Sequence, residues 1–137
     1  MKEHELAYAA GLIDGEGTVA ITRKRKSSPW RTPVVSFPNT SEALIRWFSG
    51  QFGGCVVCKR VYQPQHSRSW ECRVCDNAAI ELLERLLPYL RHPAKIWRAT
   101  LLIERYHAVT PRNGKYSAAA AVAKREFELA FFHPESS

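Results

Sequence analysis

The feature that most constrains this chain is the stretch Leu6 to Thr18, Leu-Ala-Tyr-Ala-Ala-Gly-Leu-Ile-Asp-Gly-Glu-Gly-Thr. Ala7, Gly11 and Gly15 are spaced so that on a helix they stack along one side, leaving a shallow stripe that a second helix can approach very closely. Leu6, Ala9, Ala10, Leu12 and Ile13 surround the stripe, so the helix is expected to be buried on most sides. Gly15 and Gly17 should end it, because glycine accepts the geometry of a helix terminus. Asp14 and Glu16 then sit at the negative end of the helix dipole, where carboxylates are disfavoured unless something offsets them. A bound divalent cation is one such offset. Acidic turns are common, so charge alone does not carry that reading.

The combination carries more. Ala10 to Gly17, Ala-Gly-Leu-Ile-Asp-Gly-Glu-Gly, closely resembles the LAGLIDADG motif of homing endonucleases, and Thr18 opens a strand as it would there. The resemblance implies that Ala7, Ala10, Gly11 and Gly15 pack against the same helix of a second copy. It implies that Glu16, with the backbone at Gly15, holds a catalytic Mg²⁺ or Mn²⁺, and that Asp14 supports the centre from behind. Glu16 stands where the family name has aspartate; glutamate still ligates Mg²⁺.

The sequence has 137 residues, read as one domain spanning 1–137. Its net charge of +7 points toward a polyanionic partner, although basic balance by itself is weak evidence. No apolar run is long enough to span a membrane. The start Met1-Lys2-Glu3-His4-Glu5 lacks a signal-peptide pattern, so the expected location is intracellular, in a bacterial cytoplasm or an organelle.

Residues 18–26 read as a strand. Val19 and Ile21 face a core, while Thr18, Ala20, Thr22, Lys24 and Lys26 form a small, hydroxylic and basic surface suited to DNA. The second strand, Arg31 to Phe37, turns Val35 and Phe37 inward and Trp30, Thr32, Val34 and Ser36 outward. Pro33 argues for an edge position or a ragged start. Asn39 is positioned to cap the next helix, whose apolar residues run from Leu44 to Phe52.

Cys55-Val-Val-Cys58 and Cys72-Arg-Val-Cys75 have nearly zinc-ribbon spacing. Val56-Val57 favours a strand, on which Cys55 and Cys58 point to opposite sides, so the reading disfavours structural zinc. In a hairpin turning over 62–68, Cys55 opposes Cys75, Cys58 opposes Cys72, and Arg60 pairs with Trp70. Lys59, Arg60, Arg68, Arg73 and the tip residues 63–67 then reach toward nucleic acid. Asp76 or Asn77 should cap the following helix, with Ala79, Ile80, Leu83, Leu86 and Leu87 buried. Pro93 opens another, and Ser117 caps a last one over Ala118 to Phe132, with Val122, Phe127, Leu129 and Phe131 buried and residues 133–137 frayed.

Leu87-Pro-Tyr-Leu-Arg91 also resembles the family, in which a lysine shortly afterward helps organise water at the active site. Here Pro93 stands at that place and Lys95 lies two residues on, so the resemblance implies that Lys95 or Arg91 takes the role, or that the centre is weakened. The full order of elements implies an α+β homing-endonuclease fold, αββαββα with an extra C-terminal helix and a four-stranded antiparallel saddle. The implied activity is homodimeric, metal-dependent double-strand cleavage of a long, roughly palindromic DNA site, leaving 3′ overhangs. Three alternatives share parts of the pattern: a maturase acting on its host intron RNA, a DNA-binding protein without cleavage, and a zinc-ribbon module.

Overall fold

A computed structural model describes residues 1–59 and 68–134. Helix α1 (Glu3–Glu16) leads into strands β1 (Thr18–Thr22) and β2 (Thr32–Asn39), then α2 (Glu42–Phe52), β3 (Cys55–Lys59) and β4 (Ser69–Cys75). Helices α3 (Asp76–Leu86), α4 (Pro93–Arg105) and α5 (Ala118–Phe132) follow, with short 3₁₀ turns after α3 and α4. The strands form one antiparallel sheet in the order β1-β2-β4-β3. This is the expected α+β architecture. Among the described residues, no helix is long and apolar enough to cross a membrane.

The sheet has one covered and one open face. Val19, Val35 and Val74 share a row, as do Phe37 and Cys72, and all are buried beneath the helices. Ile13, Ile45, Phe48, Ile80, Leu83, Leu102, Phe127 and Phe131 supply the helical side of that core. Alternation along each strand turns the intervening residues to the open face.

Several local expectations are corrected. Strand β1 stops at Thr22, so Lys24 and Lys26 lie in the β1–β2 connection. Strand β2 is interior, not an edge. Its prolines are tolerated because the two ladders are offset: β1 pairs Thr32 to Ser36, whereas β4 pairs Val34 to Asn39. Pro33 and Pro38 each therefore lie where β2 has a neighbour on one side only. Helix α2 is capped by Ser41, whose side chain accepts from the Leu44 N–H at 3.2 Å, and not by Asn39. Helix α3 starts directly from β4 without a side-chain cap. Asp76 makes the junction with φ 58°, and its carboxylate accepts from Lys24 Nζ at 2.6 Å.

The β3–β4 register is also two residues away from expectation: Cys55 opposes Arg73, Val56 opposes Cys72, and Cys58 opposes Trp70. A two-residue slip keeps every side chain on its face, so burial patterning cannot detect it. Gly54 sets the entry to β3. Its φ is +94°, and a Cβ there would fall 2.5 Å from the Arg73 carbonyl oxygen. Residues 60–67, including Arg60 and the tip 63–67, lie outside the described residues, as do 135–137 of the expected frayed tail.

Helix α5 has its predicted bounds and its Ser117 cap, which accepts from the Ala120 N–H at 3.1 Å. Its buried stripe differs. Phe127 and Phe131 are buried, but Val122 and Leu129 are 50% and 59% exposed. Lys124, Glu128 and Ala130 fill the remaining inner positions. Lys124 Nζ donates to Thr110 Oγ1 at 2.5 Å and lies 4.2 Å from the centre of the Tyr106 ring; burial lowers its pKa to about 8. Glu128 accepts from the Arg31 guanidinium at 2.7 Å and from the Arg31 N–H at 3.1 Å. Charged residues occupy core positions where partners are built in.

Candidate nucleic-acid interface and metal site

The end of α1 is where the parts converge. Gly17 follows the last helical residue at φ −86°, and its N–H donates to the Ile13 and Leu12 carbonyls. Glycine is needed there for space, not for backbone freedom: a Cβ would lie 2.7 Å from Ile13 Cδ1 and 2.8 Å from Ile13 Cα. This close packing sends the chain straight from α1 into β1.

The two carboxylates at this end have different surroundings. Asp14 accepts from the backbone N–H groups of Arg91 at 2.8 Å and His92 at 3.2 Å, at the start of α4. Lys95 reaches back from the first turn of α4, and its ammonium donates to the Ile13 and Asp14 carbonyls, both at 2.7 Å. One helix start thus compensates the other helix's end, in charge and in hydrogen bonding. Burial lowers the Lys95 pKa, and nearby Asp14 works against that shift. The offset expected from a cation is supplied for Asp14 by the protein itself. Glu16 is left exposed, held by Asn39, whose Nδ2 donates to Glu16 Oε2 at 2.7 Å. Asn39 Oδ1 meanwhile accepts from the Ser41 N–H at 2.8 Å.

Glu16 is therefore the exposed carboxylate at the end of α1, whereas Asp14 is tied to the backbone at the start of α4. Among the described residues, no group of three or more His, Cys, Asp or Glu side chains converges on a point. Glu16 and the Gly15 carbonyl are oxygen donors of the type Mg²⁺ takes, but the remaining ligands have to come from a second molecule or from substrate.

The small-residue stripe of α1 is open. Ala7, Gly11 and Gly15 are exposed, and a Cβ added at Gly11 or Gly15 meets no atom within 4 Å. Tyr8 continues this face at 51% exposure. Ala10 does not belong to it: it is fully buried with Ala9 and Ile13 against the chain's own core. The expectation of a helix buried on most sides holds for one side only.

The open sheet face begins beside Glu16. Thr18, Ser36, Arg73 and Cys55 form one row across all four strands. Ala20, Val34 and Cys75 form the next row toward one end, and Thr22 and Thr32 the row beyond it. On the other side lie Pro38, Glu71 and Val57, then Ser69 and Lys59. Thr18, Thr22, Thr32, Ser36, Lys59 and Arg73 thus share the predicted surface. Arg68 is exposed just before β4, and Arg91 is exposed at the start of α4.

Three basic groups, Lys24, Lys59 and Arg73, are more committed than sequence reading implied. Lys24 is paired with Asp76, and Lys59 with Glu71 at 3.3 Å. Trp30 is not a strand residue. Its ring packs 4.7 Å from that of Tyr116, and it helps line a cavity of about 530 Å³ with Arg23, Arg31, Arg125 and Phe132. Sequence reasoning missed the Asn39 and Glu71 contacts. Strict alternation on β4 already placed Glu71 and Arg73 on one face; nothing local marked Asn39 as Glu16's partner.

The fold is that of the LAGLIDADG homing endonucleases. The chain is similar to the homing endonuclease I-CvuI, solved in complex with DNA, at a TM-score of 0.67 and 19% identity over 93% of this chain and 82% of that one. It is similar to the archaeal intron-encoded I-Vdi141I, complexed with DNA, at 0.63 and 12% identity over 96% and 84%. The LAGLIDADG homing endonuclease I-GzeII, in complex with a DNA target, matches at 0.65 and 14% identity over 89% of this chain but 42% of that one. No family model matches the chain, and no curated protein matches it by sequence.

Proposed function

We propose that the chain is a site-specific DNA endonuclease that acts as a homodimer and needs a divalent metal ion. The observation that carries this reading is the open small-residue face of α1, which ends in Glu16 beside the uncovered sheet face. Two copies joined along Ala7, Gly11 and Gly15 would meet on a two-fold axis in an isologous contact. The two Glu16 carboxylates would then approach each other, an arrangement that repels unless a cation lies between or beside them. Each open sheet face would form half of a saddle along a roughly palindromic duplex. I-GzeII supports the paired arrangement, because this chain spans 42% of its length and so leaves room there for a second unit.

Mg²⁺ or Mn²⁺ fits Glu16, the Gly15 carbonyl and phosphate oxygens; when bound, such an ion lowers the pKa of water and stabilises the departing 3′-oxygen. The chain's own residues do the positioning. Asn39 aims the Glu16 carboxylate, and Lys95 and Asp14 lock the end of α1 onto α4. Lys95 and Arg91 supply positive charge near the site, and the sheet face and the β1–β2 connection bind the duplex. The expected products are ends with short 3′ overhangs.

A DNA-binding protein without cleavage is the second reading, favoured by the engagement of Lys95 with two backbone carbonyls. One experiment separates the two. The purified chain is incubated with Mg²⁺ and a randomised duplex library, and double-strand breaks are sequenced. Cutting that needs metal and disappears in Glu16→Gln, while binding persists, is the expected result. Cutting by Glu16→Gln at the parental rate would remove Glu16 from the centre, and binding without cutting would select the second reading.

A further inference from the structure

The open sheet face carries a charged triad that its DNA-binding role does not by itself explain. Glu71 lies in the middle of β4, flanked across the ladder by Pro38 on one side and Val57 on the other. Its side chain is 11% exposed. It accepts a short hydrogen bond from Arg73 Nε and sits 3.3 Å from Lys59 Nζ. Arg73, two residues along the same strand face, is 59% exposed. The carboxylate is thus sunk into the face while the guanidinium stands above it.

An acidic residue in a phosphate-binding surface is a cost unless it organises something. Here it takes the Nε of Arg73, and Nε is not one of the two terminal guanidinium nitrogens. Those nitrogens form the planar fork that matches the O6 and N7 acceptors of guanine in the major groove. Arg73's neighbours in its row are Ser36 and Cys55, so among the described residues that row sets no long side chain beside it. Holding a long side chain in one conformation before binding removes part of the entropy cost of contact. Pairing Lys59 and Arg73 with one carboxylate cancels one of their two positive charges and so weakens sequence-independent attraction to phosphate.

We infer that Arg73 reads a guanine base and that Glu71 is its positioning residue, exchanging some general affinity for discrimination at that one position. The inference rests on the DNA-binding reading above.

The test is enrichment of binding sites from a randomised duplex library with the 137-residue chain in Ca²⁺ at fixed salt, followed by titration on the best site. Parent, Arg73→Ala, Arg73→Lys and Glu71→Gln are compared, with equal thermal midpoints as the check on folding. The parent should retain guanine at a position that Arg73→Ala relaxes by about tenfold, the loss expected for one bidentate pair. Arg73→Lys keeps the charge but should lose the same preference, because a point charge has no fork. Glu71→Gln should bind non-specific DNA more tightly and discriminate guanine less. A uniform loss of affinity in Arg73→Ala with unchanged base preferences would make Arg73 a phosphate contact and overturn the inference. So would full discrimination in a folded Glu71→Gln. If the parent enriches no sequence at all, the DNA-binding reading falls, and this inference with it.

Discussion

Replacing Lys95 with methionine tests whether the junction between α1 and α4 holds the site together. The side chain donates two hydrogen bonds of 2.7 Å to carbonyls that end α1. Hydrogen bonds from a charged donor contribute about 1.5–3 kcal/mol each. Part of this is spent on burying the ammonium, which the lowered pKa records. A net loss of about 2 kcal/mol follows, since methionine fills the volume but leaves both carbonyls without this donor. For a chain of this length that corresponds to a fall of about 6 °C in Tm. Thermal unfolding at fixed protein concentration gives the first readout, since the proposed dimer would make Tm concentration-dependent. Cleavage gives the second: loosening the last turn of α1 misplaces Glu16 and should slow cutting at least ~10-fold, the scale of small misplacements at a reacting centre. DNA affinity should change little, because the open sheet face is untouched. A parental Tm would refute the structural argument. A parental Tm with cleavage abolished would instead assign the ammonium a direct part in the chemistry.

Lys124 predicts an unusual pH dependence. Its folded pKa of about 8 lies below that of the unfolded chain, so the unfolded state binds the extra proton between the two values and stability rises with pH there. The parent should gain about 2 kcal/mol relative to Lys124→Met between pH 8 and 10, measured by urea denaturation. Comparing parent with variant cancels Cys72, Cys75, Tyr106 and Tyr116, whose burial-raised pKa values act in the opposite direction. A parallel pair of pH profiles would refute it. Gly11→Leu tests the α1 face. The position is open in the single chain, so folding and far-UV circular dichroism should be unchanged. Sedimentation should report a monomer, and cleavage should be lost; a dimer of parental stability would move the interface elsewhere.

Much of the molecule was legible in local pattern. The small-residue helix, the alternation of β1 and β2, the Pro93 and Ser117 helix starts and the resemblance at Ala10 to Gly17 each follow from side-chain size or backbone preference over a few neighbouring positions. Such signals are carried by adjacent residues and survive without knowledge of the fold. The element order they define is enough to specify an α+β chain with one open sheet face.

Other features were decided only when distant segments met. The β3–β4 register was open because a two-residue slip leaves every residue on its own face. The inner stripe of α5 was misread because hydropathy ranks Val122 and Leu129 above Lys124 and Glu128, whereas Thr110, Tyr106 and Arg31 make those charges the better buried pair of positions. Asn39 reads locally as the α2 cap, but Ser41 takes that place and Asn39 becomes the partner of Glu16, because β2 runs on to Asn39, past the ladder with β1. The sequence by itself determined that two carboxylates end a closely packable helix. Only the tertiary structure decided that the start of α4 engages Asp14 while Asn39 holds the exposed Glu16, because the backbone groups and the ammonium that compensate the helix end arrive from about eighty residues away.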